Sequence, residues 1–226
     1  MSNLHGNASI ADSTLLFCID ASNQASYPGG GNNVYDISGN ENHATSVTAS
    51  ISWQPQNSGR FYFDGSGGSA LHVGSTMTTG TVGTSFEVWM YRINNASSLY
   101  IWDARQDAGT WMFTNYLSYN FNWSTAVIYN DPVTYQTNSN QWDQWIHFVA
   151  YTNPGIGAGY YINGVNVEDD NVFPDDDIGA NFRIGTRYTY GNHFYGYMGL
   201  FRIYNRKLTD AEVNQNFNAT RWRFGV

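Results

Sequence analysis

Apolar and polar residues alternate in short runs along most of the chain, with Gly, Asn, Ser or Pro between one run and the next. In Ser85-Phe86-Glu87-Val88-Trp89-Met90-Tyr91, one side carries Phe86, Val88 and Met90 and the other carries Glu87, Trp89 and Tyr91. A period of two gives a strand one face for the core and one for a rim or cleft. Leu200-Phe201-Arg202-Ile203-Tyr204 divides in the same way. Runs of this type predict strands over 15–20, 34–37, 44–47, 60–63, 70–73, 84–93, 98–103, 110–114, 119–123, 126–129, 144–152, 159–162, 165–167, 181–185 and 194–204. Asn163-Gly164, set between Tyr160-Tyr161-Ile162 and Val165-Asn166-Val167, supplies the positive φ angles of a type I′ hairpin turn. Thr209-Asp210-Ala211-Glu212 reads as a capping box, opening a helix over about 210–218 whose Val213 and Phe217 dock it on the strands. No Pro-rich or Gly/Ser linker divides the chain, and no fixed-period repeat is present. The pattern predicts an all-β, two-sheet antiparallel sandwich with one short C-terminal helix, as a single domain over 14–226. The small, polar residues 1–13 form an N-terminal tail or anchoring arm.

Composition narrows the function. The 226 residues are 17% aromatic and only 12% charged, with a formal net charge of −8. Lys207 is the one lysine, so no basic stripe exists to exchange for the counterions of a nucleic acid. The same charge opposes an anionic membrane surface, and no apolar run is long enough to span a bilayer. Nucleic acid and membrane insertion are therefore excluded as partners. The single cysteine, Cys18, lies in the apolar run Leu15-Leu16-Phe17-Cys18-Ile19 and reads as buried rather than catalytic. Met1–Ser13 has neither a basic n-region nor an apolar h-region, so no conventional signal peptide is expected.

The order of several segments points to a family. Leu15-Leu16-Phe17-Cys18-Ile19-Asp20-Ala21-Ser22-Asn23 leads to Ser26-Tyr27-Pro28-Gly29, then to Val34-Tyr35-Asp36-Ile37-Ser38-Gly39-Asn40-Glu41-Asn42-His43-Ala44 and Arg60-Phe61-Tyr62-Phe63-Asp64-Gly65. Phe86-Glu87-Val88-Trp89-Met90, Trp145-Ile146-His147-Phe148-Val149-Ala150-Tyr151 and Tyr161-Ile162-Asn163-Gly164 follow. Gly196-Tyr197-Met198-Gly199-Leu200-Phe201-Arg202-Ile203-Tyr204 and the capped helix close the series. From about residue 14 onward this resembles the concanavalin A-like, laminin-G-like jelly-roll family. The opening segment and Asn218-Ala219-Thr220-Arg221-Trp222-Arg223-Phe224-Gly225 resemble its stand-alone members in bacteriophage and environmental virus structural proteins. That resemblance implies a non-catalytic virion protein assembled in the host cytoplasm, a capsid decoration or a tail or fibre component. Its partners would be other virion subunits, as a homo-oligomer or in many copies, and a host-surface glycan. A free carbohydrate-binding lectin module is the alternative, and a polysaccharide-degrading enzyme the third reading.

The candidate chemistry is sparse. Glucanases of the resembled family carry Glu-x-Asp-x-x-Glu on one strand, but here Glu87 is followed by Val88-Trp89-Met90-Tyr91-Arg92, with no second carboxylate. His147 reads as a satisfied core or sheet-face residue. Asp36, Asn40 and Asn42 gather oxygens in one loop. They form either an Asx-turn network or, with Asp64 as the resemblance implies, a structural Ca²⁺ site. Glu168-Asp169-Asp170 and Asp175-Asp176-Asp177 read as solvated loops or a second cation contact. Aromatic and amide residues interleave around Trp102, Trp111, Tyr116, Tyr119 and Trp123. They do so again in Arg187-Tyr188-Thr189-Tyr190-Gly191-Asn192-His193-Phe194-Tyr195. Trp102, Trp111, Tyr116, Tyr119, Trp123, Arg187, Tyr188, Tyr190 and His193 are the candidates for a glycan cleft or a subunit interface, with ordinary core as the third reading.

Overall fold

The computed structural model describes residues 13–46, 51–66, 70–79, 83–93, 99–104, 114–117, 123–128, 131–135, 143–153, 157–170, 178, 181–187 and 191–226. Two antiparallel sheets of eight strands each lie face to face. The first runs β14 (Val165–Asp170), β13 (Gly157–Ile162), β12 (Trp145–Asn153), β7 (Thr84–Arg92), β16 (Tyr195–Tyr204), β5 (Arg60–Asp64) and β4 (Ile51–Gln54). β1 (Leu15–Asp20) joins β16 alongside residues 200–204, while β5 takes the same edge at 195–198. The second sheet runs β11 (Asp131–Tyr135), β10 (Trp123–Ile128), β9 (Thr114–Leu117), β8 (Leu99–Asp103), β15 (Phe182–Ile184), β6 (Leu71–Val73), β3 (Ala44–Ser46) and β2 (Asn33–Val34). Among the described residues one α-helix, α1 (Asp210–Phe224), is present, and it lies on the outer face of the first sheet.

Alternation along the strands sets the core. Phe86, Val88 and Met90 of β7 point between the sheets, where they meet Trp102 of β8 and Phe182 of β15; Phe86 stacks on Trp102 at 5.0 Å between centroids. The opposite face of β7 carries Ser85, Glu87, Trp89 and Tyr91, and α1 covers most of it. Trp89 and Trp145 pack beneath Phe217 and Phe224, and Val149, Tyr151, Tyr161 and Tyr204 beneath Leu208 and Val213. The first sheet is therefore dry on both faces over much of its area.

The Asn163-Gly164 turn has φ of 51° and 81°, as a type I′ hairpin requires. The Thr209 hydroxyl accepts from the Glu212 amide while the Glu212 carboxylate accepts from the Thr209 amide, closing the capping box. Several elements differ from expectation. The helix continues past residue 218 to Phe224 and stops at Gly225, whose φ of 72° is left-handed. A strand over 51–54 and another over 131–135, the second containing Pro132, form sheet edges where a missing or weak pattern is tolerated. Backbone 168–170 extends β14 rather than forming a loop, so the acidic run Glu168-Asp169-Asp170 lies on an edge strand, where charge discourages further pairing. Residues 175–177 and 1–12 lie outside the described residues.

Candidate functional site

The outer face of the first sheet has a closed half and an open half. In the closed half, Glu87 is fully buried under α1. Its carboxylate accepts from His147 Nε2 at 2.9 Å, Arg202 Nη1 at 3.3 Å, the Tyr204 hydroxyl at 3.1 Å and Asn216 Nδ2 at 2.9 Å. β16 sets Arg202 directly opposite Glu87 of β7, β12 places His147 diagonally across from Glu87, opposite Trp89, and α1 supplies Asn216 from above. Burial by itself would raise the Glu87 pKa, but Arg202, His147 and Tyr204 together bring it down to about 2. Burial pushes the neighbouring Cys18 thiol up to about 11, which keeps it protonated and unreactive. The strand glutamate is thus a structural anion with its lone pairs occupied. His147 lies on the sheet face as expected but is only half satisfied: Nε2 pairs with Glu87, while the buried Nδ1 has no partner among the described residues.

The open half begins where α1 ends. Tyr62 of β5 lies opposite Tyr197 of β16, Tyr197 opposite Tyr91 of β7, and Tyr91 opposite Trp145 of β12. One ring per strand therefore crosses four adjacent strands. Centroids are 5.2 Å apart for Tyr62–Tyr197, 5.7 Å for Tyr91–Tyr197 and 5.9 Å for Tyr91–Trp145. Tyr195 joins diagonally, 6.3 Å from Tyr62. Trp145 is buried against Phe224 of α1, while the four tyrosines are half-buried. Partial burial, with a hydrogen bond to Tyr195, moves the Tyr62 phenol up to about 12, so that phenol stays neutral across the ordinary pH range. The Arg60 guanidinium lies over the Tyr197 ring, 3.7 Å from its centroid.

The residues singled out from sequence fall in other places. Trp102 is fully buried between the sheets, stacked on Phe86 and 5.7 Å from Phe201, so it belongs to the core and not to a cleft or interface. Arg187 and His193 flank the loop after β15. There the Arg187 amide donates to the Gly191 carbonyl, and His193 Nδ1 lies 3.0 Å from the Thr186 hydroxyl. The backbones of Tyr116 and Trp123 run in β9 and β10, but their side chains lie outside the described residues, as do Trp111, Tyr119, Tyr188 and Tyr190.

Of the residues expected at a calcium site, Asp36, Asn40 and Asn42 share one loop, and Asp64 is not brought to it. Asp36 Oδ1 accepts from the amides of Cys18 and Ser38, and Oδ2 accepts from the Ser38 hydroxyl and the Asn42 amide. Asn40 and Asn42 turn their amide nitrogens to the Leu15 and Leu16 carbonyls. Together these bonds tie the loop to β1 as an Asx-turn network. Asp64 instead faces Tyr195, at the far end of β16 from the Cys18–Arg202 pair. At roughly 3.3 Å per strand residue, that is about 20 Å away. The four residues do not fit one Ca²⁺ cage, and among the described residues no cluster of three His, Cys, Asp or Glu does so either.

Of the tyrosine row, only Tyr195 belongs to an aromatic cluster that the sequence makes visible. Tyr62, Tyr91 and Tyr197 lie in three different strands, and register alone aligns them. The available signals were the alternation Glu87-Trp89-Tyr91 and the pair Tyr195 and Tyr197 two residues apart.

Comparison with solved structures shows where this architecture recurs. The receptor-binding domain of botulinum neurotoxin type G superposes with a TM-score of 0.67 at 15% identity, over 91% of this chain and 51% of that one. The serotype D ligand-binding domain, solved in complex with N-acetylneuraminic acid, gives 0.68 at 12% identity over 91% and 50%. Trypanosoma rangeli sialidase, solved in complex with sialic acid, gives 0.69 at 14% over 94% and 34%. This chain therefore spans about half the length of the toxin domains and about a third of the sialidase. Comparison with curated proteins gives no match. Residues 63–214, more than half of the chain, match the family model of the concanavalin A-like lectin/glucanases superfamily, and the chain belongs to that family.

Proposed function

We propose that the protein is a non-catalytic carbohydrate-recognition module that receives sugar rings on the tyrosine row of its first sheet. The observation that carries this reading is the alignment of Tyr62, Tyr197 and Tyr91 on adjacent strands, half-exposed, where α1 ends. A pyranose presents C–H bonds to the electron-rich face of an aromatic ring, and its hydroxyls pair with polar groups at the rim. A rigid sheet holds such rings at little entropic cost, since tyrosine has only two side-chain torsions to fix. The toxin domain solved with N-acetylneuraminic acid, half of which superposes on this chain, is consistent with it. The occupied state of Glu87 supports a binding role over hydrolysis, because paired-carboxylate hydrolysis needs two carboxyls facing the substrate.

The setting we propose is a virion surface, in many copies and with other virion subunits as neighbours. The support is the likeness of the opening and closing segments to stand-alone viral modules. Weak single sugar contacts suit such a setting, since copy number multiplies them. Light scattering on the purified protein tests it: a defined oligomer is expected, and a monomer that binds sugar favours a free lectin.

A glycan array probed with the labelled protein tests the binding reading. Retention of a defined set of glycans is expected, with Tyr197→Ala reducing it by about tenfold or more at an unchanged circular dichroism spectrum. An array that retains nothing overturns the proposal.

A further inference from the structure

We infer that the sugar carried by the tyrosine row is anionic, and that Arg60 receives its charge. This rests on the carbohydrate-recognition reading and adds the class of ligand. A guanidinium has five N–H donors. Arg60 uses Nε and Nη2 on the Gln54 side-chain oxygen, at 3.1 and 2.8 Å, and Nη1 on the Asn57 side-chain oxygen, at 3.3 Å. One N–H on Nη1 and one on Nη2 remain. Both fixed partners are neutral amides, and among the described residues no carboxylate lies within ion-pairing distance of Arg60. In a chain of net charge −8 this is a cation held without a counter-ion among the described residues. Gln54 and Asn57 fix the plane of the guanidinium and Tyr197 fixes its height, so the remaining donors are preorganised rather than mobile. A carboxylate or sulfate accepts two such N–H bonds at once, and these charge-assisted bonds are stronger than neutral ones.

The other charges near the row locate the anion. Asp64 lies beside Tyr62 and Asp143 beside Tyr91, both exposed, one towards each end. They repel an anion from the ends and leave the middle, over Tyr197 and Arg60, as its place. An acidic sugar therefore binds with its ring on the tyrosines and its charged group at Arg60. A neutral sugar uses the same rings without that contact.

Calorimetric titration of the full chain with matched probes tests the inference. The probes are sialyllactose against lactose, trigalacturonate against its methyl ester, and a sulfated lactose against lactose. At least one acidic member is expected to bind about tenfold more tightly than its neutral parent. That margin should shrink as salt rises from about 0.05 to 0.5 M, which needs no variant and so does not depend on folding. Arg60→Gln, checked by its melting temperature, should bring the acidic probe down to the neutral one, and Arg60→Lys should restore only part of the margin. Asp64→Asn and Asp143→Asn should each widen the margin of the acidic probe over its neutral parent. Neutral probes that bind as well as acidic ones, or an Arg60→Gln protein that keeps the margin, overturn the anionic assignment while the sugar-binding reading stands. Retention of no sugar by this titration and by the array overturns both. A margin carried only by the sulfated probe keeps the anion and identifies its chemistry as sulfate.

Discussion

Glu87 has no exposed surface and sits among four donors from two neighbouring strands and a helix. Taking one member from such a group is worse than never having built it, because the rest stay buried without a partner. Glu87→Gln replaces the carboxylate with an amide whose NH₂ faces other donors, and it leaves the buried Arg202 guanidinium uncompensated. We expect a loss of about 3–5 kcal/mol in urea unfolding. A loss under about 1 kcal/mol would mean that the group contributes little. The same residue sets an acid limit. Folding lowers its pKa from 4.5 to about 2, so the unfolded chain takes up the proton first. Its stabilisation is complete above the unfolded value and disappears as pH falls through the folded one, between about pH 5 and 2. Glu212, held at about 2 by its hydrogen bonds to Arg206 and Thr209, acts in the same direction and window. Stability measured against pH should therefore fall over that interval. In Glu87→Gln the curve should start lower at neutral pH and fall less steeply, retaining the part due to Glu212.

At the scale of the element, α1 explains what the sequence made legible and what it did not. Thr209, Glu212, Val213 and Phe217 announce a helix, and all four act as their types suggest. The expected end at 218 is six residues short because the buried stripe runs Val213, Asn216, Phe217, Thr220, Phe224, with polar residues at two of its five positions. Those positions face polar groups on the sheet. Asn216 Nδ2 donates to Glu87 and to the Tyr204 hydroxyl, and Trp89 Nε1 donates to the Thr220 hydroxyl at 2.7 Å. A polar residue on a buried face looks like an exposed one until its partner is known, and these partners lie more than a hundred residues away, apart from Tyr204. The tyrosine row was hidden for the same reason: alternation shows which side of a strand a residue takes, while register shows what it stands beside. Further clamps hold the helix. The Tyr161 hydroxyl donates to Asp210 at 2.6 Å, Arg223 pairs with Asp20 at 2.8 Å, and the Phe224 ring fits against Gly199. A Cβ at 199 would lie 2.6 Å from that ring. Gly199→Ala should therefore push Phe224 off Trp89 and Trp145 and cost about 1–3 kcal/mol. Because the two sites touch, Gly199→Ala with Phe224→Ala should cost less than the sum of the single changes, read from chemical unfolding of all four proteins.

For the whole molecule, closure of the N-terminal loop onto the sandwich is a matter of hydrogen bonds, and this sets its response to metal. Asp36 joins Cys18 of β1 to Ser38 and Asn42 of its own loop. Its amide in turn donates to His43 Nδ1, and Asn42 accepts from the Ser75 hydroxyl next to β6. The loop therefore ties the first sheet to the second using amide and hydroxyl donors. A divalent cation at Asp36 would have to displace those donors from a carboxylate that is already satisfied, and the nearest acid the resemblance offered, Asp64, is on the order of 20 Å away along β16. A ligand that binds only the folded state raises stability by RT ln(1 + [L]/Kd), so a built calcium site would show as a melting temperature that climbs with calcium and falls with chelator. We expect neither: the melting temperature in millimolar Ca²⁺ and in excess EDTA should agree within about 1 °C. Asp36→Asn should lower it in both, since an amide cannot accept all four bonds. A melting temperature that rises steadily with calcium would place a cation at oxygens other than this set, and the persistence or loss of that rise in Asp36→Asn would show whether the loop takes part.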